Sequence, residues 1–207
     1  MRPRIKICGL TRPEDARDAA RLGADAIGLV FYDKSPRNVD IAAARAVIAA
    51  LPPFVSVVAL FVNPARERVD EILAAVAVDI LQFHGEETPE FCASFHRPYL
   101  KAVRVKPGVD LVEWADRYKN ARGLLADAFV EGAHGGTGAT FDWRLIPDNL
   151  PIPLILSGGL TPDNVADAVR RVRPAAVDVS SGVEAGKGIK DAERMRAFIQ
   201  GVTDGSL

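Results

Sequence analysis

Charge of one sign is what this 207-residue sequence lacks first: 26 basic side chains meet 27 acidic ones, for a formal net charge of -1 and a pI near 6.3. A nucleic-acid-binding domain carries a marked basic excess and a membrane-surface segment a polybasic run, so neither partner is expected and a small molecule is. Cysteine is scarce. Cys8 and Cys92 stand far apart with no CxxC and no Cys/His ligand cluster, which excludes a disulfide scaffold, a zinc site and a dithiol redox motif. Long apolar runs are missing too. Met1-Arg2-Pro3-Arg4-Ile5-Lys6 is interrupted by polar residues, so neither a secretory segment nor a membrane span is read there, and a cytoplasmic protein is expected. No charge block, low-complexity linker or close repeat divides the chain. At about 150 residues per domain the length corresponds to about 1.4 domains, and residues 1–207 read as one domain.

What is present is a 48% hydrophobic, 26% charged composition, ordinary for a globular protein. Short apolar runs recur at Arg4 to Cys8, Ala26 to Phe31, Val55 to Phe61, Asp79 to Phe83, Tyr99 to Val105, Gly123 to Phe129, Pro153 to Leu156 and Ala176 to Val179. They are continuous rather than alternating, as parallel strands buried on both faces require. Between them lie helical spacings, such as Val69, Ile72, Leu73 and Val76, then Val165, Ala168, Val169 and Val172, then Met195, Phe198, Ile199 and Val202. Asn63-Pro64, Thr88-Pro89 and Thr161-Pro162 place a capping side chain before a proline, and Thr11 with Glu14 reads as a capping box. Eight strands alternating with helices, the sixth helix shortest near Phe141 to Ile146, predict a closed, parallel (β/α)8 barrel. The rival is an open doubly wound sheet, but no G-x-G-x-x-G follows the first strand.

In such a barrel the C-terminal strand ends share one mouth, where the active site is expected. Read in order, those ends bring together Cys8, His84, Arg104, Asp127 and two Gly/Ser loops, Ser157-Gly158-Gly159 and Ser180-Ser181-Gly182. Glycine lets a backbone approach an anion, and hydroxyls and amides supply donors, so Gly158, Gly159, Ser180, Ser181 and Gly182 are candidates to hold a phosphate; tight βα turns are the plainer alternative. Gly135-Gly136-Thr137-Gly138 is a third donor-rich loop, a lid or another anion contact. Cys8 is either a small buried hydrophobe or a catalytic thiol, whereas Cys92, in a helical segment, reads as packing. Asp127 lies among Leu124, Leu125, Ala126 and Ala128, and desolvation there favours the protonated form that a general acid needs. Asp178 stays ambiguous, His84 reads first as a satisfied polar residue at a strand end and only second as a chemical group, and Asp79, opening its strand, belongs to the far end.

Taken together, Lys6-Ile7-Cys8-Gly9-Leu10, Ser35-Pro36-Arg37, Leu60-Phe61-Val62-Asn63, Leu81-Gln82-Phe83-His84-Gly85, Asp127 with Gly135-Gly136-Thr137-Gly138 and Phe141-Asp142-Trp143, Ser157-Gly158-Gly159-Leu160 and Val177-Asp178-Val179-Ser180-Ser181-Gly182-Val183-Glu184 resemble the phosphoribosylanthranilate isomerases of tryptophan biosynthesis. The resemblance runs from Lys6 to about Asp191. Phe83 replaces the leucine expected in the histidine segment, a conservative change.

The resemblance implies an Amadori rearrangement of an aminoaldose to an aminoketose with neither a redox cofactor nor a metal. It implies Asp127 as general acid and Cys8 as general base. Arg37, otherwise a solvated loop arginine, would hold the anthranilate carboxylate; His84 and Asp178 would contact substrate, and the Gly/Ser loops would hold the 5′-phosphate. The expected assembly is a monomer or a homodimer. The related isomerase of histidine biosynthesis, or a dual-substrate version, is the nearest rival, but such proteins resemble one another in using an aspartate where this chain has Cys8, and their halves look alike, which is not seen here. A non-catalytic phosphate-binding barrel is the other; it need not keep the Cys8 and Asp127 pair.

Overall fold

The computed structural model describes residues 2–128 and 142–206. Eight parallel strands, β1 (Arg4–Cys8), β2 (Ala26–Val30), β3 (Ser56–Phe61), β4 (Ile80–Phe83), β5 (Tyr99–Val105), β6 (Gly123–Ala128), β7 (Leu154–Leu156) and β8 (Ala176–Val179), pair in sequence order and close into a barrel. Closure is in register: Ile5 lies beside Val177, Lys6 beside Asp178 and Ile7 beside Val179. The expected parallel barrel is therefore the observed fold. Helices α1 (Pro13–Leu22), α2 (Ile41–Ala49), α3 (Arg66–Ala75), α4 (Pro89–Ala93) and α5 (Leu111–Arg117) follow the first five strands. Helix α6 (Val165–Val172) follows β7, and α7 (Ala192–Gly205) closes the described chain. Between β6 and β7 the described residues hold only a 3-10 turn, Trp143–Leu145, where the shortest helix was expected. Phe129, Phe141 and the Gly135–Gly138 loop lie outside the described residues.

Strand alternation sorts the side chains into two layers. Ile5, Ile7, Ile27, Leu29, Val57, Ala59, Phe61, Leu81 and Phe83 point outward and pack with Ala16, Ala19, Val47, Val69 and Ile72 of the helices in one buried cluster. Each such fully buried aliphatic side chain contributes roughly 1.5–3 kcal/mol relative to exposure, so this layer holds the helices on the barrel. The inward face changes character along the axis. Near the foot, Leu100, Ala102, Leu125 and Ile155 form an apolar plug. One step up each strand come Lys6, Gln82, Asp127 and Asp178, all buried and polar. The same two-residue period that makes a strand core-like thus carries polar groups to the mouth.

Thr88 caps α4 through Phe91 N, as expected. The other capping expectations are corrected, two of them by contacts between loops and one by a local turn. Asn63 takes a left-handed backbone (φ 47°) and its side chain accepts from Glu86 N, so α3 starts later, at Arg66. Thr161 donates its N–H to the Asn164 side chain ahead of α6, and the Thr11 hydroxyl donates to Gly188 O instead of capping α1, whose N-cap is Arg12. Gly188 belongs to a feature that went unread in the sequence: after the 3-10 turn Ser181–Val183, a small antiparallel hairpin of β9 (Glu184–Gly186) and β10 (Ile189–Lys190) precedes α7. No helix among the described residues is long and apolar enough to cross a membrane.

Candidate active site

Cys8 ends β1 two residues beyond Lys6, so both side chains enter the barrel. Both pack over Gly28, where an added Cβ would meet Cys8 Sγ at 2.7 Å and Lys6 Cε at 3.2 Å. Lys6 Nζ pairs with Asp178 Oδ1 at 2.7 Å, and Asp178 Oδ2 accepts from Ser157 Oγ at 3.3 Å. Burial opposes the charge on Lys6, but Asp178 and the neighbouring sulfur outweigh it and raise its pKa, so this ammonium stays charged. Burial pushes the Cys8 thiol above its ordinary range; the Lys6 charge opposes that rise, Asp178 adds to it and Lys190 opposes it. The resting form is a thiol with a fixed cation beside it.

Across the barrel, Asp127 ends the inward row of β6 and sits in register with Arg104 of β5. Its Oδ1 accepts from Ala128 N at 3.0 Å, and its Oδ2 lies 2.9 Å from His84 Nε2. Gln82 Nε2 lies 3.1 Å from the other ring nitrogen of His84. With Gln82 donating to Nδ1, Nε2 is the ring nitrogen that donates to Asp127. His84 is thus turned onto the carboxylate. The loop behind it is anchored by Lys101, fully buried, which donates to Gly85 O at 2.5 Å and pairs with Glu87 at 3.1 Å.

The two Gly/Ser loops form one cleft that also reaches Asp127 and Asp178. Gly158 has φ +83°, and a Cβ there would run into the backbone of Ala128 and come within 3.0 Å of Asp127 Oδ1. Any other residue would force Ala128, the neighbour of this carboxylate, to shift.

A family model described as N-(5′-phosphoribosyl)anthranilate (PRA) isomerase matches residues 5–201. The chain belongs to the PRA isomerase family. It is accordingly an isomerase and an enzyme of tryptophan biosynthesis. Among its relatives, the N-(5′-phosphoribosyl)anthranilate isomerase of Pseudomonas syringae pv. tomato is 62% identical over 199 residues, covering 96% of this chain and 97% of the relative. That of Pseudomonas aeruginosa LESB58 is 63% identical, covering 96% and 94%. The solved phosphoribosyl anthranilate isomerase of Thermotoga maritima superimposes with a TM-score of 0.89 at 42% identity, over 97% of this chain and 98% of that one. A further PRA isomerase structure, in complex with reduced 1-(o-carboxyphenylamino)-1-deoxyribulose 5-phosphate, gives a TM-score of 0.82 at 38% identity with the same coverage.

In this PRA isomerase family member Arg37 is not a solvated loop arginine. It is buried, and its Nε and Nη2 hold both carboxylate oxygens of Glu184 at 2.7 and 2.8 Å. Lys190 Nζ holds Glu184 from the other side at 2.8 Å. Lys6, Glu184 and Lys190 were not singled out as site residues from the sequence. A signal existed for Lys6, a cation inside an apolar strand two residues before Cys8. Glu184 closes the last quoted motif, but nothing in the spacing joins it to Arg37, which lies 147 positions away.

Proposed function

We propose that this chain converts N-(5′-phosphoribosyl)anthranilate to 1-(2-carboxyphenylamino)-1-deoxyribulose 5-phosphate by an Amadori rearrangement carried by Asp127 and Cys8. Asp127 gives its proton to the furanose ring oxygen, the C1′–O bond breaks, and the anthranilate nitrogen becomes an iminium. Cys8, a thiolate once its own proton has left to solvent, then takes the proton from C2′, leaving an enolamine whose C1′ gains a proton as the C2′ hydroxyl gives one up and becomes a ketone. C1′ is reduced while C2′ is oxidised, so electrons balance within the substrate and no external oxidant enters.

The single observation that carries this reading is the opposition, within one barrel mouth, of a thiol beside a buried cation and a carboxylate beside an imidazole. The thiol must lose its proton only when the substrate is in place, and the iminium charge, close to the hydrogen being removed, adds to the Lys6 field that favours thiolate. His84 holds Asp127 facing the ring oxygen. In this reading Arg37 takes the anthranilate carboxylate, Gly158, Gly159, Ser180, Ser181 and Gly182 take the 5′-phosphate, and Asp178 orders Lys6 and the sugar hydroxyls. Residues 1–207 act as one domain in the cytoplasm, as a monomer or a homodimer.

The experiment is to generate phosphoribosylanthranilate in place and follow the loss of its fluorescence on adding the protein, with the histidine-pathway aminoaldose as a parallel control. Turnover of the first alone is expected; no turnover of the first overturns the assignment.

A further inference from the structure

We propose that Glu184 is a positioning residue for Arg37, and that the β9–β10 hairpin sets the carboxylate-binding end of the site relative to its phosphate-binding end. The proposal rests on the reading that Arg37 holds the substrate's carboxylate. Its basis is the geometry of a planar guanidinium. Glu184 occupies the side-on edge, with Arg37 Nε to Oε1 at 2.7 Å and Nη2 to Oε2 at 2.8 Å. Two parallel bonds fix the plane as well as the place of the group. Among the described residues no bond uses Nη1, so the end-on edge, Nη1 with the second N–H of Nη2, is presented for another carboxylate.

The rest of the network ties this plane to the phosphate loop. Lys190 Nζ donates to Glu184 Oε1 at 2.8 Å, to Ser180 O at 3.1 Å and to Ser180 Oγ at 3.3 Å. Lys190 N in turn donates to Asp15 at the foot of α1 at 3.0 Å. Gly9, at φ +73°, lies under both ends: a Cβ there would come within 2.5 Å of Arg37 Cδ and 3.0 Å of Ser180 Oγ. Two cations and one anion leave a net charge of +1, which one arriving carboxylate balances. A hairpin of two short strands thereby sets the spacing between two anion sites.

A merely electrostatic role and a positioning role differ in sign. Glu184→Gln removes a negative charge beside an anion site, which by Coulomb's law alone tightens anion binding. Loss of the fixed plane loosens it. The test measures binding by calorimetry of two probes, reduced 1-(o-carboxyphenylamino)-1-deoxyribulose 5-phosphate, which carries the carboxylate, and ribose 5-phosphate, which does not, alongside steady-state kinetics. For Glu184→Gln the expected result is a roughly 10- to 100-fold weaker carboxylate probe, the range of a lost charged hydrogen bond. Ribose 5-phosphate is expected to stay within about twofold, and KM to rise with a smaller change in kcat. Glu184→Asp, which keeps the charge but shortens the reach, provides a well-folded check and is expected to lose less. Tighter or unchanged binding of the carboxylate probe, or equal loss of both probes, overturns the proposal. Arg37→Gln separates the two claims: if it leaves the carboxylate probe unaffected, the Arg37 reading itself fails, whereas a loss there without one in Glu184→Gln removes only the positioning role.

Discussion

The two cysteines live in two different layers of the same barrel. Cys92 lies on α4, fully buried in the apolar layer between barrel and helices, with its Sγ 4.0 Å from Glu87 O. Burial pushes that thiol up to about 12; the Lys101 charge opposes the rise and Glu87 adds to it. Cys8, almost as buried, faces the inner polar layer with Lys6, Asp178, Lys190 and Arg37 around it. Burial alone therefore does not separate an inert thiol from a reactive one. Each sulfur feels a buried lysine, Lys6 for Cys8 and Lys101 for Cys92; what separates them is that Cys8 faces the open mouth.

The largest expected effect breaks the acid half of this mouth. Asp127→Asn keeps the shape and the Ala128 N bond but removes the transferable proton, and turnover should fall by roughly 10² to 10⁴, the range of a lost general acid, while circular dichroism stays unchanged. Lys6→Met comes next. It leaves Asp178 buried without its cation, which costs about 3–5 kcal/mol of stability, measurable as a lowered denaturant midpoint. In the same variant the pH at which Cys8 becomes reactive to iodoacetamide should move upward, since the charge that favours its thiolate is gone; an unmoved alkylation profile would show that Lys6 does not act on the sulfur. Cys92→Ala should leave turnover near the parent value and cost about 1 kcal/mol, the scale of a small cavity in a packed layer.

The smallest effect lies at the far end of the barrel. Burial raises the Asp25 carboxyl, but hydrogen bonds from Arg2, Arg4 and Ile5 N outweigh it and hold its pKa below the ordinary range. A depressed folded-state pKa contributes stability above the unfolded value of about 4 and loses it as pH falls. Acid titration of Tm should therefore be flatter in Asp25→Asn than in the parent between about pH 5 and 2, with turnover at neutral pH unaltered.

The strands and the mouth were legible in the sequence because both-face burial leaves continuous apolar runs and most strands end where their runs end; β2 stops at Val30, one residue before its run does. The expected β4 began at Asp79 and the observed one at Ile80, a difference of one residue at the end that matters least. Capping was less legible. Asn63 and Thr11 have the composition of caps, but in a barrel with lean loops their polar atoms serve neighbouring loops, a choice made by tertiary proximity, whereas Thr161 gives its N–H to Asn164 in its own turn. The site divided in the same way. Cys8, Asp127 and the Gly/Ser loops lie at strand ends and could be read in order. Their partners could not: Glu184 reaches Arg37, and His84 reaches Asp127, across gaps in sequence that no local period records. Only closure of β8 onto β1 brings Asp178 to Lys6.

The central claim is that the thiol at the mouth, and not the thiol behind the barrel, takes the proton from C2′. The most direct measurement is kcat of Cys8→Ala on freshly generated phosphoribosylanthranilate, with Cys92→Ala as the matched control. A loss of roughly 10² to 10⁴ in Cys8→Ala alone is expected for a missing general base. Near-parent turnover in Cys8→Ala would contradict the account.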